Sequence, residues 1–452
     1  MIADEAARSA ASPARRAALD ALTEVRRRDA YANLVLGAMF ERRALSSPDR
    51  RLAIALVNGV LRARRTLDWR IDRVSRIPTK KLEPAVLDAL RMAVFQMTAL
   101  DRVPDHAAVA ETLLLVPDRA RGFCKAVLEQ IRREGAGAVD PPGGNGVASV
   151  ALRASLPDWV VRQWVQDFGD EAAARYAHAL AHEPPGMLRA CGISPGDLIA
   201  QLRDEGIDAT PAPFAPLGVR VAHLDAAIAS RAFAQGHAIV QGEASQIAVE
   251  LVGAKPGELV LDACAAPGGK ATRLAEQVGP QGRVVAADVH AGRAELIAEN
   301  ARRLGLANIE VRALDVAETR ELADASFDRV LVDAPCTALG QAARHPELRW
   351  RLAPEDPERM SVLQLALLRA VSKSVKPGGR LVYAVCTLTA AETRDVAHAF
   401  WAQARHEGFR LADAARILEG PCRTHARDGF YLFEPTSESP EGFFAAVFER
   451  AP

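Results

Sequence analysis

Apolar positions recur at helical spacing through the first third of the chain. Ala18, Leu19, Leu22 and Val25 form one stripe, and Leu52, Ile54, Ala55, Val57, Val60 and Leu61 a second. Leu87, Leu90, Met92, Val94, Phe95 and Met97 are dense enough to predict a buried helix. Turn signals separate the stripes at Ser46-Ser47-Pro48-Asp49, Ile77-Pro78-Thr79 and Val103-Pro104-Asp105. Residues 12–133 are therefore predicted to be all-helical, and a compact bundle is the simplest architecture. The run Gly135–Gly146 (GAGAVDPPGGNG) has the composition of a linker. The first domain is set at 1–135 and the linker at 136–150.

A helix is predicted over Asp158–Phe168, with Trp159 and Trp164 as packing anchors. Strand-like runs at Met187–Ala190 and Gly218–Val221, with a helix over Ser194–Glu205, predict a small α+β subdomain within 151–235. From Gly236 short apolar runs alternate with helical stripes, defining a domain over 236–452. Strands are expected at Leu259–Ala263, Arg283–Asp288, Ile309–Ala313, Arg329–Asp333 and Arg380–Val385, with helices such as Ala271–Val278, Arg293–Leu304 and Ser361–Ser374 between them. Pro377-Gly378-Gly379 reads as a tight lead-in to the fifth strand. Repeated β-α units imply an α/β fold whose parallel sheet is covered on both faces. Gly429–Phe433 and Gly442–Phe448 are expected to form an antiparallel hairpin at the sheet's edge.

The composition, 49% apolar and 25% charged over 452 residues, is that of a soluble globular protein with two or three domains. No stretch approaches the roughly 18 uncharged apolar residues of a membrane helix, and no apolar core follows a basic start as in a signal peptide. The six cysteines include no C-x-x-C pair, which argues against a disulfide scaffold and against structural zinc, and no metal is expected. Reducing cytoplasm is the expected compartment, and a monomer the expected state. The net charge of zero hides an asymmetry. Residues 1–135 carry 25 Lys/Arg against 17 Asp/Glu, and the remainder 32 against 40. A net of +8 on the helical segment suggests a nucleic-acid-binding module, although arginine-rich solvated helix faces would give the same count.

In doubly wound sheets ligands gather at the carboxyl ends of the strands. The first strand ends in Asp262-Ala263-Cys264-Ala265-Ala266-Pro267-Gly268-Gly269-Lys270, a small-residue loop opening a helix. Such a loop admits a ligand close to backbone N–H groups. Its spacing is neither G-x-G-x-x-G nor a P-loop, and an adenosine ligand with a charged tail, such as S-adenosylmethionine, fits it. The second strand ends in Asp288, twenty residues after Gly268, the spacing at which an acid binds ribose hydroxyls. The third is followed by Asp315, the fourth by Asp333-Ala334-Pro335-Cys336, the fifth by Cys386. A lone Asp there is commonly a turn former and a lone Cys a small buried hydrophobe, as read for Cys124, Cys191 and Cys422. The coincidence at one sheet edge sets Asp288, Asp333, Cys336 and Cys386 apart.

Thiols beside a methyl donor suit pyrimidine chemistry. Carbon 5 of cytosine is too poor a nucleophile to take a methyl group unaided. Addition of a thiolate to carbon 6 makes an enamine, and a carboxylic acid at ring N3 stabilises the charge that develops. A base then removes the carbon-5 proton and the enzyme is eliminated.

DACAAPGGK at 262–270, DAPCT at 333–337 and YAVCTL at 383–388 resemble the motifs of RNA cytosine-5 methyltransferases of the Sun/Nop type. Gln241–Gln246 (QGEASQ) and Arg344–Trp350 (RHPELRW) fit as well, and Asn58–Arg62 and Leu90–Gln96 are similar to the NusB-like RNA-binding domain. The resemblance covers nearly the whole chain. It implies a Rossmann-like S-adenosylmethionine-dependent methyltransferase domain, an all-α NusB-like N-terminal domain, a small α+β subdomain between them, and a cytosine of 16S rRNA as substrate. It implies Cys386 as nucleophile, Cys336 in product release, Asp333 at the base ring and near the cofactor, and Lys270 orienting the cofactor or Asp333. Cys264, Ala265, Ala266, Pro267, Gly268, Gly269 and Lys270 would hold the methionine part, Asp288 the ribose, Asp315 the adenine side, and Arg293 would add a cofactor-side contact. Val385 stands where the family usually has Thr, Gly242 where Asp is common, and Cys191 where Asn is; the loop after Cys336 is Thr-Ala-Leu-Gly rather than Ser-Gly and a further Gly. A tRNA substrate, or a non-catalytic RNA-binding assembly factor retaining the fold, are the alternatives. A decayed enzyme would have no need of both thiols and Asp333.

Overall fold

Helix starts in this chain are set by its turn residues. Ser46 accepts from the Asp49 N–H at 3.3 Å and Ser194 from the Asp197 N–H at 3.1 Å, each with proline in the first turn that follows. Serine there satisfies a donor the helix leaves unpaired, and proline has none to lose. The computed structural model describes residues 11–135, 140–318, 321–322 and 324–452. The chain divides into two units, Met1–Ala181 with Ala342–Leu352, and His182–Gln341 with Ala353–Pro452.

The first unit is helical. Helices Pro13–Arg28, Ser47–Val74 and Pro84–Ala99 pack around Leu22, Leu56, Val60, Leu90 and Val94. Pro84–Ala99 is buried without a break from Val86 to Val94, as its apolar run predicts. Gly59 forms the notch for Phe95: a Cβ there would lie 2.0 Å from the ring Cζ. The helices Val147–Arg153, Asp158–Phe168 and Asp170–Leu180 belong to this unit too. Arg65 ties them in, its backbone N–H donating to Ser155 Oγ (2.9 Å) and its Nη1 to Leu156 O and Asp158 Oδ1 (both 2.7 Å). Of the two expected anchors, Trp164 is fully buried against Tyr176, and Trp159 is half-buried.

In the second unit, β1 (Gly186–Ala190), β2 (Ala209–Pro211), β3 (Gly218–Val221) and β4 (Ala238–Val240) make an antiparallel sheet in the order β2-β3-β1-β4. Helix Pro195–Asp204 covers it through Leu198 and Leu202. A nine-stranded sheet follows, from β5 (Leu259–Asp262), β6 (Arg283–Asp288), β7 (Ile309–Ala313), β8 (Phe327–Asp333), β9 (Val375–Val385), β10 (Phe409–Ala412), β11 (Ala426–Arg427), β12 (Phe430–Phe433) and β13 (Phe443–Arg450). Its order is β11-β12-β13-β9-β8-β5-β6-β7, with β10 on β13. Strands β5 to β9 are parallel, and β13 is antiparallel to β9 and β12.

Two expectations are corrected. The terminal pair is antiparallel but not an edge. β13 lies between β9 and β12, with Ala445 and Val447 in the core on one face and Phe444, Ala446 and Phe448 in the core on the other. A strand apolar on both faces belongs inside a sheet. Pro377-Gly378-Gly379 lies within β9, as a bulge: pairing starts at Val375 with Phe327 and resumes at Arg380 with Arg329. The neighbours β6 and β8 leave β5 in opposite directions, which opens a crevice at the carboxyl ends of β5 and β8. No helix among the described residues is long and apolar enough to cross a membrane, and no cluster of His, Cys, Asp or Glu among them could hold a metal ion.

Candidate active site

The loop after β5 is pinned before any ligand arrives. Ala265 N–H donates to Ala287 O and Gly268 N–H to Ala265 O, both at 2.8 Å. Gly268 has φ +105° and helix Gly269–Val278 starts directly after it. A Cβ on Gly268 would lie 3.2 Å from Ile297 Cα, so both conformation and space call for glycine. Asp288, almost fully buried at the end of β6, accepts from His290 N–H at 3.0 Å and pairs with Arg293 at 3.5 Å. Arg293 also reaches Ala266 O (3.4 Å), and Asn300 donates to Pro267 O (3.0 Å). Asp315 is exposed and accepts from Ala317 N–H at 2.9 Å, a turn-forming bond.

Asp262 is fully buried, and neither carboxylate oxygen has a hydrogen-bond partner of good geometry among the described residues. Burial first, then the charge of Asp333, pushes its carboxyl up to about 7, and the nearby Lys270 and the Cys264 backbone N–H offset this only in part. The side-chain amide of Gln241, next to Gly269, is likewise buried and without a hydrogen-bond partner among the described residues. Orphaned polar atoms around a glycine cradle fit a ligand that brings its own donors and acceptors, as the amino-acid end of S-adenosylmethionine does. Burial and the charge of Asp262 push the Cys264 thiol up, which suits a structural, protonated thiol.

On the other side of the crevice Lys270 Nζ lies 2.5 Å from Asp333 Oδ2 and 5.4 Å from the Phe443 ring centroid. Burial alone would lower the Lys270 ammonium, but Asp333 and Asp262 hold it above its ordinary value. Cys336 Sγ and Cys386 Sγ are 3.4 Å apart and both half-buried. The hydrogen bond with Cys386, then burial, then the charges of Cys386 and Glu392 push the Cys336 thiol well up. The loops that carry the thiols are cross-linked. Gly340 N–H donates to Cys386 O (3.1 Å), and Gly442 N–H to Gly340 O (2.8 Å). A Cβ on Gly340 would strike Gly442 O at 2.0 Å, which accounts for glycine in Thr-Ala-Leu-Gly. Val385 is fully buried opposite Phe444, so the missing Thr is replaced by core packing rather than by a gap beside the thiol. A Cβ on Gly242 would lie 2.8 Å from the Glu441 carboxylate, where an aspartate would be repelled.

Sequence reasoning missed Glu392. It is fully buried six residues past Cys386, where it accepts from Thr337 and Thr389. An acid set among Thr387, Thr389 and Thr393 was the signal available. Gln364 was missed as well, and Gln241 stood in the sequence motif Gln241–Gln246 without a role assigned to it. Gln364 donates to Pro335 O at 2.9 Å and to Glu392 Oε1 at 3.2 Å.

The family described as 16S rRNA methyltransferase RsmB/F matches residues 249–449. The NusB family matches residues 12–133, and the ferredoxin-like domain of RsmF/B-like methyltransferases residues 156–225. The chain is 34% identical over 446 residues to the probable ribosomal RNA small subunit methyltransferase B of Bacillus subtilis, across 96% of this chain and 98% of that one. It is 35% identical over 423 residues to ribosomal RNA small subunit methyltransferase B of Thermus thermophilus, across 94% of each. The crystal structure of PH0851 superposes with a TM-score of 0.78 at 25% identity, across 97% of this chain and 98% of that one.

Proposed function

Because the chain belongs to the RsmB/F family of RNA methyltransferases and depends on S-adenosylmethionine, we propose that it methylates carbon 5 of a cytosine in 16S rRNA through a covalent bond from Cys386 to carbon 6. The observation that carries this reading is the 3.4 Å approach of Cys336 and Cys386 beside the Lys270–Asp333 pair.

The target base leaves its stack, since a thiolate cannot reach carbon 6 within one. Cys386, its proton passed to solvent, attacks as thiolate, the S–C6 bond forms, and the displaced π electrons load carbon 5 and N3. Asp333 meets N3, and the Lys270 ammonium against it supplies the proton that bond needs. When bound, S-adenosylmethionine supplies the electrophilic methyl group. Residues Cys264–Lys270 would hold its methionine part, Asp288 its ribose and Asp315 its adenine side, with Arg293 paired to Asp288. Once Cys386 is bonded to carbon its hydrogen bond to Cys336, the largest cause of that thiol's proton affinity, is gone. Cys336 then passes its own proton to solvent and, as thiolate, takes the one on carbon 5. The returning electron pair restores the C5–C6 double bond and expels Cys386 as thiolate, and the N3 proton goes back by way of Asp333 to Lys270.

The test is a denaturing gel with full-length protein and 16S rRNA. Cys336→Ala is expected to accumulate a covalent protein–RNA adduct, and Cys386→Ala to give neither adduct nor product. Equal, RNA-independent behaviour of both variants defeats the role assignment. Mapping 5-methylcytosine in RNA from cells with and without the gene tests the substrate. Loss of a 16S position supports the reading, and loss confined to tRNA moves the substrate there.

A further inference from the structure

Two cysteines from different strands must stay within one ångström or so of their working positions, because misplacement on that scale can cost about 100-fold in rate. Each is followed by a threonine, Thr337 after Cys336 and Thr387 after Cys386. The two hydroxyls lie 2.9 Å apart. Behind them is the Glu392 carboxylate, fully buried. Its Oε1 accepts from Thr337 N–H (2.8 Å) and Gln364 Nε2 (3.2 Å), and its Oε2 from Thr337 Oγ1 (2.6 Å) and Thr389 Oγ1 (2.8 Å). Thr337 gives its single hydroxyl proton to Glu392, so the Thr387 hydroxyl donates to Thr337 Oγ1 at 2.9 Å and reaches Glu392 Oε2 at 3.4 Å, and the bonds run one way from the Cys386 loop to the carboxylate. Gln364 holds Pro335 O on the other flank of Cys336, and Tyr383 Oη donates to Glu392 O at 2.6 Å.

We propose that Glu392 is the positioning residue of the thiol pair: one buried carboxylate anchors Thr337 directly, and Thr387 both through Thr337 and by a longer bond of its own, and so keeps Cys336 and Cys386 in register on the same base. Its bearing on catalysis rests on the roles proposed for Cys386 and Cys336; its bearing on where the thiols lie does not.

The chemistry of these bonds explains why the residue is an acid. Every one of these groups donates, and only an acceptor on both oxygens satisfies them; a glutamine would turn an NH2 group toward at least two donors. Burial raises the Glu392 carboxyl, and the hydrogen bonds from Thr337, Thr389 and Gln364 act against that rise. Glu392 also adds to the causes that keep the proton on Cys336.

The experiment uses full-length protein and a small bifunctional thiol reagent, dibromobimane, which fluoresces strongly once both arms are alkylated. Wild-type protein is expected to be cross-linked between Cys336 and Cys386, identified by mass spectrometry, and Cys336→Ser not. Glu392→Gln is expected to slow this cross-link at least 10-fold. Its kcat for methyl transfer should fall about 100-fold, with KM for S-adenosylmethionine and RNA within twofold of wild type. Thr337→Val removes one hydroxyl and leaves the backbone bond, so it should give a smaller loss of the same kind even if Glu392→Gln fails to fold; Thr337→Ser should restore both readouts. A folded Glu392→Gln or Thr337→Val with wild-type cross-linking and kcat overturns the proposal. Should wild type methylate no cytosine while the variants still lose the cross-link, the cytosine reading fails and the positioning role stands.

Discussion

Asp262 shows how much a single buried carboxyl can carry. Its folded-state pKa is raised from 3.8 to about 7 by burial and by Asp333. A raised value means that folding favours the protonated form. Its contribution to stability is fully present below about pH 4 and is lost as pH rises through about 7. Asp262→Asn removes that dependence. The stability difference between variant and wild type, measured without ligand by thermal or urea unfolding, is therefore expected to shift in the variant's favour from pH 4 to pH 7.5. The shift is on the order of 4 kcal/mol at one pKa unit per 1.4 kcal/mol. Comparing the same pair across pH cancels the constant cost of burying the amide. A flat difference would mean that Asp262 stays ionised throughout, with a partner other than those described. The same substitution is expected to weaken S-adenosylmethionine binding at least 10-fold by calorimetry, because the carboxylate has no protein donor of good geometry to satisfy it.

At the level of elements, the segment Ala342–Leu352 is the least expected placement. It follows the Cys336 loop in the chain, yet it packs with the helical unit. Arg349 is fully buried there and donates to the carbonyls of Ala342, Arg62, Ala154, Ser155 and Leu180. Trp350 Nε1 donates to Leu61 O at 2.7 Å, and Arg351 pairs with Asp29 at 2.7 Å. Burial, and then Arg62, pushes the Arg349 guanidinium down to about 9, so it remains charged near neutrality. Arg349→Met would leave several buried carbonyls without a donor, a loss of about 3 kcal/mol or more in urea unfolding; Arg349→Lys, with three donors and no planar fork, should fall between. A loss under about 1 kcal/mol would show that water replaces the guanidinium. The motif Arg344–Trp350 was legible in the sequence, but apart from Ala342 the side-chain hydrogen-bond partners of Glu347, Arg349 and Trp350 lie 169 to 315 residues away, beyond any periodicity. The same limit hid Glu392, whose bonds join three separate stretches, and the interior place of β13. By contrast the strands β5 to β8, the helix Asp158–Phe168 and the acids and thiols at the strand ends were legible, because alternation, turn residues and strand-end position are local signals.

For the whole molecule, the even balance of 57 basic and 57 acidic residues conceals where the charge lies. Residues 1–135 carry an excess of 8 positive charges and the remaining residues an excess of 8 negative ones, from the counts of 25 against 17 and 32 against 40. At about 0.1 M salt the screening length is about 10 Å, so a phosphate near one surface is largely insensitive to charge on a distant one. A zero net charge is therefore compatible with strong local attraction for RNA. If the helical segment supplies the phosphate contacts, affinity for 16S rRNA should fall linearly on a log–log plot against salt. Arg27, Arg51 and Lys125 are exposed in that segment. Changing all three to Gln should make the salt slope shallower by about 0.7–0.9 for each phosphate no longer neutralised, raise KM for RNA, and leave kcat at saturating RNA within twofold. Lys373 and Arg405, exposed in the second unit, provide the comparison: their Gln variants should leave the slope unchanged. Filter-binding titrations from 50 to about 300 mM salt decide it. Equal slopes for both sets of variants would place the RNA contacts outside the helical segment. A fall in kcat without a change in slope would show that the substituted bases act on chemistry rather than on binding.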